Sequence, residues 1–156
     1  MTEMSDTDWT WRYENSAGDV ISLTPADSVD GFPSQAPDMA RDMVGVSHGN
    51  IGRVKELLKV HPTLANATWD WGFGDWETAL GAASHTGRRP IAEFLIGNGA
   101  HPTIFSAAML GDVDSVRSLL TADPSLFRLP GPHGLSLIHH ARAGGADAQR
   151  VVDHLL

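Results

Sequence analysis

The fold is decided by one stretch of the chain, Gly74-Asp75-Trp76-Glu77-Thr78-Ala79-Leu80-Gly81-Ala82-Ala83-Ser84-His85-Thr86-Gly87. Its second half predicts a short helix of small residues that ends at a glycine, and small residues let neighbouring helices approach closely. After Gly87, apolar residues recur with the period of a helix, and Pro90 stands where a first-turn proline is tolerated. The stretch therefore predicts a unit made of a short inner helix, a glycine turn and a longer outer helix.

The same unit recurs along residues 40–156. Apolar residues at helical spacing follow four turn glycines: Gly49, Gly87, Gly111 and Gly145. Two segments, 57–64 and 119–126, nearly repeat each other at an offset of 62 residues. The intervals between the glycines are irregular, at 38, 24 and 34 residues. Internal repetition of this length is typical of helical-repeat proteins, so the sequence predicts an all-α solenoid of about four helix pairs.

These units resemble ankyrin repeats. Residues 74–87 resemble the opening of that repeat, in which Thr-Pro-Leu-His begins the first helix, Ala-Ala packs it and Gly closes it. The match continues through residues 91–100, and in the fourth unit His139 falls at the family's His position. The resemblance covers roughly residues 40–156, although the glycine spacing departs from the family's period of about 33 residues. It implies a stack of helix pairs that binds partner proteins through projecting connectors and a concave inner-helix surface.

The composition is that of a globular protein, with 42% hydrophobic and 19% charged residues. The net charge of −8 is concentrated in residues 1–38, which carry eight acidic side chains against one basic side chain. Binding to nucleic acid needs a basic surface, so we exclude that class. The chain has no cysteine, no apolar run long enough to span a bilayer and no secretory-signal pattern. We therefore expect a cytoplasmic protein that does not bind membranes.

Residues 1–39 differ from the rest and form an acidic leader before the ankyrin-like domain of residues 40–156. Trp9, Trp11 and Tyr13 alternate with polar residues, and a β-prone run at residues 20–23 follows a segment that contains glycine. Two interpretations stay open. The leader either forms a β-hairpin that caps the first helix pair, or is a flexible segment whose aromatic residues touch the domain loosely.

The densest functional signal is a cluster of aromatic residues in the connector before the second helix pair: Trp69, Trp71, Phe73 and Trp76. Aromatic residues on a protruding loop are typical anchors for a partner. The alternative is that these rings fold back onto the domain. We expect a protein–protein interaction module, whose contact surface adds Glu77 and three inner-helix positions to the aromatic cluster: Ser47, His85 and Met109.

The eight histidines raise the question of a metal site. His139 and His140 are neighbours on a helix and point about 100° apart, so they cannot easily share one ion. His48 and His85 occupy equivalent inner-helix ends of adjacent units, and the two can come close. Because no His-Glu-x-x-His motif or comparable ligand spacing is present, the sequence predicts no metal site and no cofactor.

Catalytic motifs are also missing from the sequence. The serines lack a Gly-x-Ser-x-Gly elbow, and there is no thiol nucleophile. We therefore expect no enzyme activity and no catalytic residue. An alternative stays open, because fold does not decide function: an enzyme or small-molecule-binding protein with a pocket lined by Trp71, Trp76, His85 and His139.

The sequence ends at Leu155-Leu156, on the apolar stripe of its last helix. The ends of solenoids usually need a polar cap. A homodimer through this C-terminal helix is therefore a further hypothesis.

Overall fold

The computed structural model describes residues 11–14, 20–23 and 36–156, with side chains in the last of these ranges. The chain divides into two compact units, residues 1–37 and 38–156. In the first unit, β1 (Trp11–Glu14) and β2 (Val20–Leu23) pair antiparallel, with Tyr13 opposite Ile21. Trp9 and the segment between the strands lie outside the described residues. The expectation that the leader caps the first helix pair also rests on residues outside them.

Eight α-helices account for most of the described residues, and the mostly helical fold that the sequence predicts is confirmed. Their bounds are α1 Pro37–Val46, α2 Ile51–Val60, α3 Ala79–His85, α4 Arg89–Gly97, α5 Ile104–Leu110, α6 Val113–Ala122, α7 Leu137–Ala143 and α8 Gln149–Leu155. Each of the four turn glycines lies between two consecutive helices. Within the part of the chain that the structure describes, no helix is long and apolar enough to cross a membrane.

Side-chain caps define where several helices begin. The hydroxyl of Thr78 accepts a hydrogen bond from the backbone N–H of Gly81 at the start of α3. Thr103 and Ser106 form a reciprocal capping box at the start of α5. Such caps satisfy backbone N–H groups that have no partner inside the helix, and each contributes about 1 kcal/mol to helix stability.

The helices enclose two hydrophobic clusters, one built mainly from α1 to α4 and the other from α5 to α8. Helix α3 packs against α4, α5 and α7. The approach to α7 is so close that a Cβ atom on Gly87 would clash with the carbonyl oxygen of Ala143. Gly87 also has a φ of +67°, which favours glycine. This turn therefore requires glycine for two separate reasons.

The aromatic connector forms a β-hairpin. Strands β3 (Thr68–Asp70) and β4 (Trp76–Thr78) pair antiparallel, with Trp69 opposite Glu77 and Asp70 opposite Trp76. Because neighbouring residues of a strand point to opposite faces, Glu77 is buried while Trp76 is exposed. Strand β4 continues directly into α3, so the hairpin is joined to the inner helices without a flexible linker.

The last helix, α8, places its apolar stripe inside the chain. Val151, Val152 and Leu155 are buried in the second hydrophobic cluster, and Leu156 is exposed. The stripe that the dimer hypothesis offers to a second copy is therefore largely covered by the protein's own helices.

Candidate functional site

The hairpin inserts one carboxylate into the interior of the protein. Glu77 lies on β4 and is 1% exposed. The indole Nε1 of Trp71 donates a hydrogen bond to its Oε2 at 2.6 Å. A buried carboxylate is costly unless it is paired or bound to a cation, so the surroundings of Glu77 are the first place to look for function.

Three histidines from distant parts of the chain surround that carboxylate. The Nε2 of His85, at the end of α3, lies 2.9 Å from Oε1 of Glu77. The Nε2 of His133, in the short 3₁₀ turn Pro132–Gly134, lies 3.3 Å from the same oxygen. The Nε2 of His48, in the turn after α1, lies 3.5 Å from Oε2 and 3.2 Å from the Nε2 of His85. One potential ligand atom from each of the four residues lies within 4.8 Å of all the others.

In two of these rings, the contacts of Nδ1, the nitrogen that faces away from Glu77, determine which nitrogen carries the proton. Nδ1 of His48 is 3.1 Å from the carbonyl oxygen of Val44 and 3.0 Å from that of Gly45. Nδ1 of His133 is 2.6 Å from Oδ2 of Asp75. These oxygens only accept hydrogen bonds, so Nδ1 carries the proton in both rings. In the neutral form of each ring, the lone pair of Nε2 then faces Glu77.

The carboxylates of the site remain ionised. Burial favours the neutral form of Glu77 and is the largest single influence. The short contacts from His85 and Trp71, with the charges of His48 and His85, outweigh it and lower the pKa of Glu77 below its ordinary value. The hydrogen bonds from His133 lower the pKa of Asp75. Burial works against the charged form of His133, but Asp75 and Glu77 together raise its pKa.

Two buried side-chain atoms in residues 36–156 lack a hydrogen-bond partner: Oε1 of Glu77 and Nε2 of His140. Nε2 of His85 lies 2.9 Å from Oε1 and 3.2 Å from Nε2 of His48. His140 is fully buried next to the site, and its ring packs against Phe105 and lies 6.5 Å from that of His85. Burial lowers the pKa of His140 and favours its neutral form.

The tip of the hairpin forms a second feature, on the outside of the molecule. Phe73 is fully exposed and Trp76 is 61% exposed. Phe73 has a φ of +58°, a left-handed conformation that is strained for a bulky residue. The carboxylate of Asp70 accepts hydrogen bonds from the backbone N–H groups of Gly72 and Gly74 and holds this turn.

The structure separates the binding residues predicted from sequence into three groups. Phe73, Trp76 and Trp71 have exposed side chains, whereas Trp69 is partly buried against the first hydrophobic cluster. Ser47, Glu77 and Met109 are buried. Their assignment to a contact surface needs correction, because the three side chains are inaccessible to a partner in this structure. His85 belongs to the histidine cluster.

The alternative pocket of Trp71, Trp76, His85 and His139 is only partly assembled. Trp71 and His85 both contact Glu77. Trp76 and His139 have exposed side chains and are not part of the four-residue cluster. The expected proximity of His48 and His85 is borne out at 3.2 Å.

Sequence reasoning did not predict the role of Glu77 as the centre of a histidine cluster, nor the participation of His133. His133 lies 48 residues beyond His85 in a connector without a motif. Its neighbours in the Gly131-Pro132-His133-Gly134 segment signal a turn, and that turn is the one local indication of its special position.

Comparisons of the chain with protein-family models, with curated proteins and with solved structures find no match. The geometry of the hairpin and of the histidine cluster therefore provides the evidence for function.

Proposed function

We propose that this chain is an ankyrin-like helical-repeat protein that binds a partner protein through the tip of the β3–β4 hairpin. The repeat interpretation is supported by four successive helix pairs whose members are separated by glycine turns, and in the second and third pairs a shorter helix precedes a longer one. The hairpin takes the place of a projecting connector in such an array. The chemistry that this tip recognises is an apolar cleft on the partner, wide enough to accept two aromatic rings.

The observation that carries the proposal is the exposure of Phe73, in the turn of the β3–β4 hairpin, and of Trp76, at the start of β4. Large aromatic side chains bury about 150–250 Å² each and dominate interface energetics. At about 25 cal/mol per Å² of apolar surface, the two rings together supply several kcal/mol of binding free energy. Exposed aromatic residues at this density are a common signature of an interaction site.

The rigidity of the hairpin supports the same role. Asp70 holds the turn from inside, Trp71 is bound to the buried carboxylate of Glu77, and Asp75 binds His133. A preorganised loop loses less conformational entropy when a partner binds. The exposed rings are therefore presented in a nearly fixed position.

The inner-helix surface contributes less to this proposal than the family resemblance implies. Ser47 and Met109 are fully buried, and the side chain of His85 is 13% exposed. The contact surface in the present proposal is the hairpin tip, Phe73 and Trp76, bordered by Trp71.

Photocrosslinking tests this function. A photoreactive phenylalanine analogue is placed at position 73 and, as the matched control, at position 127, where Phe127 is 46% exposed in another connector. We expect a discrete crosslinked partner from position 73 and none of the same mass from position 127. The captured protein, purified separately, should bind the wild-type chain and Phe127→Ser but not Phe73→Ser/Trp76→Ser. Equal binding to all three would refute the proposal.

A further inference from the structure

The four side chains around Glu77 have the spacing of ligands around a small cation. Among the candidate ligand atoms, Nε2 of His85 and Nε2 of His133 lie 2.9 and 3.3 Å from Oε1 of Glu77, and Nε2 of His48 lies 3.2 Å from Nε2 of His85. Four ligands at the bond lengths typical of zinc, about 2.0–2.1 Å, lie about 3.3 Å from one another at the corners of a tetrahedron. These three distances are close to that value.

We propose that His48, Glu77, His85 and His133 bind a zinc ion, through Nε2 of each imidazole and Oε1 of the carboxylate. Imidazole nitrogen and carboxylate oxygen are both ordinary zinc ligands. Three nitrogen ligands disfavour calcium and magnesium, which prefer oxygen. The inference goes beyond the partner-binding role and does not depend on it.

The outer nitrogens of the ring ligands support this assignment. Metal-binding histidines usually donate their second ring N–H to a carboxylate or a backbone carbonyl, which directs the free lone pair at the ion. His133 makes this contact with Asp75, and His48 makes it with the carbonyls of Val44 and Gly45. Two of the three imidazoles are therefore already held in the tautomer that a zinc ion requires.

The unpartnered oxygen of Glu77 is an independent observation. Oε2 is occupied by the indole N–H of Trp71, whereas Oε1 is buried and accepts no hydrogen bond from residues 36–156. Nε2 of His85 and Nε2 of His133 lie 2.9 and 3.3 Å from Oε1. A cation among these three atoms would give the buried oxygen the partner that it lacks.

Solvent can reach the cluster from one side. The side chains of His48 and His133 are 32% and 34% exposed, whereas that of Glu77 is fully buried. An ion can therefore enter past the two exposed rings. Four protein ligands complete a tetrahedron, which is typical of a structural zinc site. Such an ion would join α1, the hairpin, α3 and the 3₁₀ turn in a chain that has no cysteine for a disulfide.

The competing explanation is a network held by protons alone. In that case Nε2 of His85 donates a hydrogen bond to Nε2 of His48. His133 is then protonated on both nitrogens and contacts both Asp75 and Glu77. The two explanations differ in what happens when zinc is added, and in the protonation of Nε2.

Titration of the full chain, purified in chelator and then dialysed, distinguishes them. Isothermal titration calorimetry with zinc chloride should give one ion per chain. Co²⁺ should give the intense visible bands of four-coordinate geometry. The variants His48→Gln and His133→Gln should bind zinc at least about 10–100-fold more weakly, the range known for loss of a group that hydrogen-bonds to a metal ligand. The exposed histidines His101 and His139 supply matched controls as His101→Gln and His139→Gln, which should bind like the wild type.

The proposal fails if the wild type takes up no zinc, or if the cluster and control variants bind it equally. A six-coordinate Co²⁺ spectrum would also overturn it, since it would indicate adventitious surface binding. Circular dichroism shows whether each variant is folded. Nitrogen-15 spectra of the imidazoles provide a second measurement, because zinc must abolish any proton on Nε2 of His48, His85 and His133.

Discussion

Asp75 and His133 form a two-point contact across 58 residues of sequence. The Oδ1 of Asp75 accepts a hydrogen bond from the backbone N–H of His133 at 2.8 Å, and Oδ2 lies 2.6 Å from its ring Nδ1. The contact ties the β3–β4 hairpin to the 3₁₀ turn before α7. One acidic residue therefore fixes both the position of the His133 ring and its tautomer.

The first prediction concerns Asp75→Asn. An amide can still accept the backbone hydrogen bond, but it no longer favours the proton on Nδ1 of His133. We expect zinc affinity to fall about 10–100-fold, the usual effect of losing a carboxylate that hydrogen-bonds to a ligand histidine, with an unchanged circular dichroism spectrum. Competition with a chromophoric chelator measures the affinity. Asp114→Asn, on the exposed face of α6, is the matched control, and equal affinities for the two variants would contradict the prediction.

The second prediction concerns Glu77→Gln. The substitution keeps an oxygen for the indole of Trp71 but removes the charge that the histidines surround. We expect the free energy of unfolding of the metal-free variant to be about 1–3 kcal/mol lower than that of the metal-free wild type, because hydrogen-bonding groups remain buried without suitable partners.

Zinc should widen the difference between Glu77→Gln and the wild type. An ion at 100 times its dissociation constant stabilises a folded protein by about 2.7 kcal/mol. Thermal unfolding with and without zinc should therefore show an increase in Tm for the wild type and little change for the variant. An equal increase in both proteins would show that the ion binds elsewhere.

The third prediction concerns Gly87→Ala. An alanine at this position would have to adopt a positive φ, and its Cβ would clash with the carbonyl oxygen of Ala143. We expect a loss of at least about 1–2 kcal/mol, the cost of a left-handed conformation alone for a residue with a Cβ. Chemical denaturation measures it. Gly97→Ala is the control, since no described atom lies within 4 Å of the Cβ it would add to α4. A loss in Gly97→Ala as large as in Gly87→Ala would contradict this explanation.

The helices were predictable from sequence because their signals are local. Turn glycines such as Gly87 and Gly111 stand between runs with helical period, and the same glycines separate helices in the structure. The aromatic residues of the connector were also found from sequence. Which of them are exposed, such as Phe73, and which are packed, such as Trp69, was not predictable from sequence, because it depends on how β3 and β4 pair.

Beyond the proximity of His48 and His85, the histidine cluster was not predictable, since its members share no fixed spacing. Glu77 and His85 lie eight residues apart, but His48 and His133 come from separate connectors. Only the packing of α3 against its neighbours brings the four together. The burial of Ser47, which the sequence placed on the inner-helix contact surface, was missed for a related reason. Family position indicates a face of a helix, whereas burial depends on what packs against that face.

The last prediction concerns the pH dependence of the cap on α6. Oδ1 of Asp112 accepts a hydrogen bond from the backbone N–H of Ser115 at 3.0 Å, and Oδ2 accepts one from its hydroxyl at 2.6 Å. These hydrogen bonds lower the pKa of Asp112 in the folded state. The unfolded chain therefore binds this proton more readily, and the stability that the carboxylate contributes is present above its ordinary pKa and lost as the pH falls below about 4. Asp112→Asn keeps the cap without titrating, whereas Asp112→Ala removes it at a cost of about 1 kcal/mol at pH 7. Urea denaturation at pH 7 and pH 3 should show a smaller loss for Asp112→Asn than for the wild type, and identical losses would mean that the carboxylate does not contribute through its charge.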